Sequence, residues 1–362
     1  MLMKKIFFTI ALLWGGLTAS SVKGQVFDIN NMFPNVVMSK DIYEKAKAEF
    51  DKQESDFKTL YNNEIKKKAD EALNKTTTPV ESTSNNPTKV DIAKEMDYIY
   101  QLCIAYLFSE DKKYLDKAVV NLKAWAAVNK AVSKSNINET KYTPAVEGYS
   151  LIRNVISIND KNDIDKWVAD RLQVFKKDND LRINNWGTAL LHQFYLYGTV
   201  LGDADALSYF NTNYPEWVKG NLFPNGTTTD LLGRDAFAYH SYDLLFFAKI
   251  CHLKAILEGY DAADAFYSQD INWGASIKKS VDFWKPFLLN PEKYTHVEFL
   301  NTEYAPDKNR SDYNKTYDPA GTIYVVDELY EMDKDLKRVI DKYRGGNEFG
   351  TWRLGLSALR WK

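Results

Sequence analysis

Two short segments of this 362-residue chain combine side chains suited to chemistry. The first reads Arg182-Ile183-Asn184-Asn185-Trp186-Gly187 and stands directly before an apolar run through Leu190, Leu191 and His192. Asparagine is a good helix N-cap, so Asn184 or Asn185 can satisfy free amides at the start of that run. The same pair, with Arg182 just before it, also sets neutral and charged donors at a positive helix terminus, where a carboxylate binds. One residue can serve both purposes. The second segment passes through Phe223-Pro224-Asn225-Gly226-Thr227, then Arg234-Asp235-Ala236-Phe237-Ala238-Tyr239-His240-Ser241-Tyr242, into a helical pattern ending near Glu258. Tyr239 and Tyr242 share one helical face. Two tyrosines on an apolar helix are ordinarily core residues. Here His240 and Arg234 lie beside them, and cations can pull a phenol down from its usual pKa of about 10.

Other polar residues stand in less telling surroundings. The stretch from Pro286 to Gly321 packs Tyr294, His296, Glu298, Tyr304, Arg310, Tyr313 and Tyr317 among Asn, Asp and Pro. It reads either as a cleft wall, with His296, Glu298 and Arg310 as binding contacts, or as a solvated loop. Thr76 to Lys89 is a polar loop, a lid or a plain connector. His252 reads as a core histidine, and Asn159 to Asp165 lacks the central Gly and closing Glu of a calcium loop. The chain has no His-Glu-x-x-His, Cys-x-x-Cys, Gly-rich phosphate loop or Gly-x-Ser-x-Gly. Neither a metal nor another cofactor is therefore expected.

The elements that must position these residues are helices. Ile92, Met96, Ile99, Cys103 and Tyr106 form one apolar stripe, and Leu115, Val119, Leu122, Trp125 and Ala126 another. Further helices are expected near 40–73, 145–157, 163–176, 187–201, 204–217, 236–258, 270–285, 323–343 and 351–360, with little strand-like alternation. An all-α chain of this kind stacks helical hairpins into a toroid or a solenoid. The lack of a fixed-period repeat favours the toroid.

Composition narrows the class. Nine Trp and 23 Tyr exceed what core packing requires, and such rings stack on sugar faces. The net charge of −2 offers no basic field for nucleic acid. Lys4 and Lys5, the apolar run Ile6 to Leu17 and Val22-Lys23-Gly24 read as a cleavable signal peptide over residues 1–24. That run is too short for a membrane span. No cysteine near the cut could take a lipid. Residues 25–362 are then one exported domain, periplasmic or secreted, expected to be a monomer, with Cys103 and Cys251 as buried free thiols.

An Asn-Asn pair opening one helix, a Pro-Asn-Gly turn, an Arg, and Tyr-His-x-Tyr opening another helix resemble the alginate lyase family, over roughly residues 90 to 330. The resemblance implies an incomplete (α/α) toroid, a deep cleft for an acidic polysaccharide, and β-elimination. It assigns the catalytic tyrosine to Tyr242 and the second Asn of the pair to Asn185. His240 and Arg234 are then catalytic partners, and Arg182, Asn184, Trp186, His192 and Tyr239 bind substrate. The sequence departs from the family where Trp186 replaces a histidine, and where Asp235 replaces an arginine with Arg234 one step early. His192 or His240 could stand in for the missing imidazole. Two alternatives remain open: a toroidal glycoside hydrolase using carboxyls among Asp230, Asp235 and Asp243, and an exported glycan-binding protein without catalysis.

Overall fold

The computed structural model describes residues 27–132, 137–177, 182–271 and 273–362, so the expected leader over 1–24 lies outside them. The described residues contain no named strand, only isolated bridges such as Leu222 with Thr228. The helices, in chain order, begin with α1 (Lys40–Asp51), α2 (Asp56–Leu60), a π-helical passage Tyr61–Lys66, α3 (Lys67–Leu73), α4 (Ile92–Ser109) and α5 (Lys112–Val128). A 3-10 segment Ile137–Tyr142 leads into α6 (Thr143–Ile152), followed by α7 (Ile158–Lys177), α8 (Asn185–Leu201) and α9 (Ala204–Asn221). Then come α10 (Thr229–Arg234), α11 (Phe237–Glu258), α12 (Tyr260–Ser268) and α13 (Ile277–Leu289). The last are α14 (Ile323–Leu329), α15 (Lys337–Arg344) and α16 (Trp352–Leu359).

Starts and stops follow local chemistry. Asp91, Asp111, Asp203, Ser276 and Thr351 each cap a helix by accepting a backbone N–H with the side chain. Gly202, at φ 69°, ends α8 in the left-handed conformation that glycine adopts without a Cβ penalty. Several expected boundaries shift, among them the end of α6 at Ile152 rather than 157 and the start of α7 at Ile158 rather than 163. The stretch 40–73 breaks at Lys52, which is extended, and restarts behind Ser55, whose side chain accepts from Lys58. The stretch 323–343 splits at Asp333, whose side chain caps a separate 3-10 turn. Trp273 and Gly274 form a turn at positive φ, so α13 begins later than expected and carries Pro286 within its last turn.

Packing arranges the helices as an incomplete (α/α) toroid. Along the inner circuit α4 packs on α6, α6 on α8, α8 on α11, α11 on α14 and α14 on α16; α16 then returns through α1, α2 and the π-helical passage 61–66 to α4. Residues of α4, α6, α8, α11, α14 and α16 together line one cavity, which marks these six as the inner layer. Outside them lie α5, α7, α9, α12 with α13, and α15. An inner helix is covered on nearly every side, so its sequence must be apolar all round. α8 is such a helix, with every residue from Gly187 to Gly198 buried. Its Gly187 has no room for a methyl group, since a Cβ there would collide with the Trp217 ring and the Arg182 carbonyl. Gly187→Ala is expected to cost about 2–3 kcal/mol through overpacking, read as a lower urea midpoint at unchanged m-value.

Cys103 and Cys251 are buried free thiols. Among the described residues no helix is long and apolar enough to cross a membrane. The Thr76–Lys89 loop is tied to the end of α5, where Asn129 Nδ2 donates to the Val80 carbonyl at 2.9 Å and Trp125 Nε1 to Thr77 Oγ1 at 3.0 Å.

Candidate active site

The inner helices set two polar layers. On α8, Asn185 and His192 are seven residues apart, and on α11 so are Tyr242 and Lys249. Seven residues are about two turns, so each pair shares a face with its members about 10 Å apart along the axis. The Phe246 ring ties the layers together, edge-on to Tyr242 at 5.0 Å and 6.2 Å from the His192 ring.

Nearer the starts of the two helices stand Asn185 on α8 and Tyr242 on α11, the latter interacting with Thr140, Tyr239 and Tyr324. Asn185 is 1% exposed, and neither its amide oxygen nor its amide nitrogen has a partner among the described residues. Such a buried orphan costs free energy unless something else completes it. Its backbone N–H donates to Asp230 Oδ2 at 2.5 Å. Burial raises the Tyr242 pKa, while a hydrogen bond with Thr140 and the charge of Lys249 pull it back and Tyr239 pushes it up. The cation acting on this phenol is thus Lys249, where the sequence had suggested Arg234 and His240. Tyr324, half-exposed at the start of α14, feels the Tyr242 charge in turn.

The lower layer surrounds a cavity of about 210 Å³ lined by Asp97, Tyr100, Glu147, His192, Lys249, His252, Glu328 and Arg353, among others. Lys249 Nζ lies 3.7 Å from Glu147, and Arg353 pairs with both Glu328 and Glu331. His252 Nδ1 lies 2.7 Å from Glu331, so this residue is part of an ion-pair network rather than a plain core histidine. His192 is buried with its Nδ1 unpartnered among the described residues. Burial, then the charges of Lys249 and His252, hold its pKa well below the usual value, so it stays a neutral imidazole. Burial raises the Asp97 pKa to about 6. Asp97, Glu147, Lys249 and Tyr324 escaped the sequence reading. Their signal was present as isolated polar residues in otherwise apolar helical runs, but which of those runs face the axis is a tertiary matter.

The remaining candidates do not line this cavity. Asn184 is the N-cap of α8, accepting from Trp186 N at 3.1 Å. The Arg182 guanidinium stacks over the Trp186 ring at 4.7 Å. Arg234 makes a two-pronged pair with the buried Asp307 and stacks over Tyr239 at 3.9 Å and Tyr304 at 4.8 Å. Arg310 donates to the Tyr239 hydroxyl at 3.2 Å, stacks on Phe299 at 4.6 Å and pairs with Asp312. Tyr239 therefore stands between two arginines, one turn from Tyr242.

His240, His296 and Glu298 are engaged in packing. His240 is fully buried, its Nδ1 3.1 Å from Thr228 Oγ1 and its Nε2 3.3 Å from the Ser280 carbonyl. Successive helix residues diverge by about 100°, so His240 and Tyr242 face different neighbours. His296 Nε2 donates to the Asp235 carbonyl at 2.9 Å. Glu298 accepts from the N–H groups of Phe237 at 2.9 Å and Ala238 at 3.2 Å. The N-cap of α11 is Ala236, which has no side-chain acceptor, so a carboxylate from a distant loop takes that role. Glu298→Ala is expected to lower stability by about 2 kcal/mol, because one buried and one partly buried amide lose a charged acceptor; thermal melting checks it.

Burial takes the His240 pKa down to about 4. The unfolded chain, at about 6.5, binds a proton over the interval in which the folded chain does not. Stability should therefore fall as pH drops from about 6.5 towards 4, by roughly 3 kcal/mol from this group. Urea midpoints at pH 7 and pH 5 test this, with His240→Gln expected to show a smaller drop.

Asp230 and Asp243 are buried at 4% and 0% exposure behind α8. Asp235 sits in a left-handed turn at φ 50° and accepts from Asn301 N at 2.7 Å. The carboxyls considered for a hydrolase are thus committed to packing. The sequence pattern of alginate lyases matches residues 37–294. The chain belongs to the alginate lyase family. No curated protein matches this lyase at the level of sequence. Among solved structures it is similar to an alginate lyase from Bacteroides ovatus, with a TM-score of 0.66 and 17% identity over 91% of this chain and 99% of that one. Alginate lyase A1-III from Sphingomonas species A1 matches with a TM-score of 0.49 and 15% identity over 74% of this chain and 80% of that one. The family makes this protein a polysaccharide lyase. Glu328 and Arg353 lie beyond the matched residues, so part of the axial cavity is built from outside the matched stretch.

Proposed function

We propose that this lyase cleaves a uronic-acid polysaccharide, alginate or a related uronan, by β-elimination at Tyr242. The observation that carries the reading is the buried, unpartnered amide of Asn185 at the start of α8, the helix packed on the α11 that bears that phenol. The C5–H bond of a uronate breaks only if the neighbouring carboxylate loses its negative influence, because the electrons left on C5 delocalise towards it. Asn185 Nδ2 donates to that carboxylate, and neutral His192 adds polarity below it. Preorganised donors of this kind commonly supply the largest part of the rate. The Tyr242 phenolate takes the C5 proton, the C4–O bond breaks as the C4–C5 double bond forms, and the phenol returns the proton to the departing oxygen. The tyrosine ends as it began. Arg234 orders Tyr239 through their stack, Tyr239 and Arg310 border the sugar path, and the stacked Trp186 and Arg182 add further binding contacts.

Because burial raises the Tyr242 pKa, only a small fraction of the free enzyme holds the phenolate at neutral pH. The value of kcat/KM should therefore rise with pH through 7 to 9, with a slope near 1 on a logarithmic plot; a flat profile would exclude Tyr242 as the base. Residues 1–24 are proposed as a cleaved export signal and the active form as a periplasmic or secreted monomer. The deciding experiment is ultraviolet absorbance of products from polymannuronate, polyguluronate, glucuronan and a neutral glycan. Absorbance rising on one uronide supports elimination and names the substrate. Reducing ends without absorbance, or binding without turnover, would overturn the reading.

A further inference from the structure

The buried acids Asp230 and Asp243 take no part in the elimination above, yet they stand between its two principal residues. Asn185 is the first residue of α8, and the N–H groups of a helix's first turn have no partner within the helix. Asn184 satisfies that of Trp186, and the Asn184 carbonyl accepts from Gly187 and Thr188. The Asn185 N–H is completed from another element, by Asp230 Oδ2 at 2.5 Å. Asp230 is itself held in the first turn of α10 behind the Thr228 cap, whose hydroxyl also reaches His240 on α11. Asp243 follows Tyr242 directly on α11 and accepts from Asn221 Nδ2 at 2.7 Å. Asn221 Nδ2 also donates to Thr188 Oγ1 at 3.1 Å, as does Trp217 Nε1 at 3.2 Å. A continuous buried polar lattice thus joins the first turn of α8 to the turn of α11 that carries Tyr242.

We propose that Asp230, braced by its partner Asp243, is a positioning residue that acts through the Asn185 backbone to aim the Asn185 amide at the substrate carboxylate. The inference rests on the reading of Asn185 as the carboxylate-neutralising group. Burial, and then the charge of nearby Asp230, push the Asp243 carboxyl well above the usual range, while burial raises Asp230 and the Asn185 N–H and Arg234 pull it back. The pair accordingly retains a proton at neutral pH, and Asp230 Oδ2 is the oxygen that accepts from the Asn185 N–H. A shift of about 1 Å in the first turn of α8 would move the amide out of line, and misplacement on that scale costs up to about 10²-fold in rate.

The test is a double-mutant cycle on the uronan that the wild type cleaves, with kcat and KM measured separately and folding checked by melting. Asp230→Ala is expected to lower kcat by about tenfold or more, with KM little changed. Asp230→Asn, which keeps an oxygen acceptor, should recover most of that loss. In the Asn185→Ala background, Asp230→Ala should change kcat by no more than about twofold, because it acts through the missing amide. Losses that multiply in the double variant, or a wild-type kcat in Asp230→Ala, would overturn the inference while leaving the lyase reading intact. A wild type that makes no unsaturated product removes the role of Asn185 and this inference with it. If the alanine variant fails to fold, Asp230→Glu retains the charge but displaces the oxygen. It should lower kcat in the wild-type background and leave Asn185→Ala unchanged; multiplied losses there overturn the inference equally.

Discussion

Tyr242→Phe is expected to lower kcat on the cleaved uronan by at least about 10²-fold, the loss of an acid and base acting at two bonds. The substitution removes one oxygen and leaves the ring, so the edge-on contact with Phe246 at 5.0 Å persists. Tyr242 and its hydrogen-bond partner Thr140 are both only partly buried, so the melting temperature should stay close to that of the parent. Product absorbance and a melting curve on the same preparation settle the matter. Activity within a few-fold of wild type would remove Tyr242 from the mechanism, and the half-exposed Tyr324 would be the next group to test.

Asn185→Ala is the second large effect, expected at about 10²- to 10³-fold in kcat, the range for losing one preorganised donor to a developing negative charge. The donor matters most as C5 gives up its proton, so kcat should fall far more than KM rises. Neither side-chain atom of Asn185 bonds to the described protein, so its removal breaks no internal hydrogen bond. The α8 start keeps its Asn184 cap and the bond from the residue 185 backbone to Asp230. Asn185→Asp should be worse still, since it would set a third carboxyl beside Asp230 and a negative charge against the substrate. Wild-type kcat in the alanine variant would transfer the neutralising role away from α8.

Both residues were legible in the sequence because their signals are local. An Asn pair before an apolar run specifies a helix start, and Tyr-His-x-Tyr specifies a face. Periodicity over three and four residues likewise identified most helices, since hydrogen bonds and caps act within one turn. The breaks at Lys52 and Asp333 were less legible because a cap competes with a continuing helix through small energy differences.

The sequence by itself determined an all-α chain, the helix starts that bear Asn185 and Tyr242, and two buried thiols in apolar stripes. Only the tertiary structure decided which cations serve the site. Arg234 finds Asp307 across 73 residues of chain and Glu298 caps α11 across 61, so residues that sequence proximity set beside Tyr242 or in a cleft wall became braces. Lys249, Glu147 and Asp97 became a charged floor because closing the ring turns one face of each inner helix towards a common axis. Neighbours along a helix diverge by about 100°, so adjacency in the chain could not say which side chains meet; that depends on the packing of six helices around one cavity.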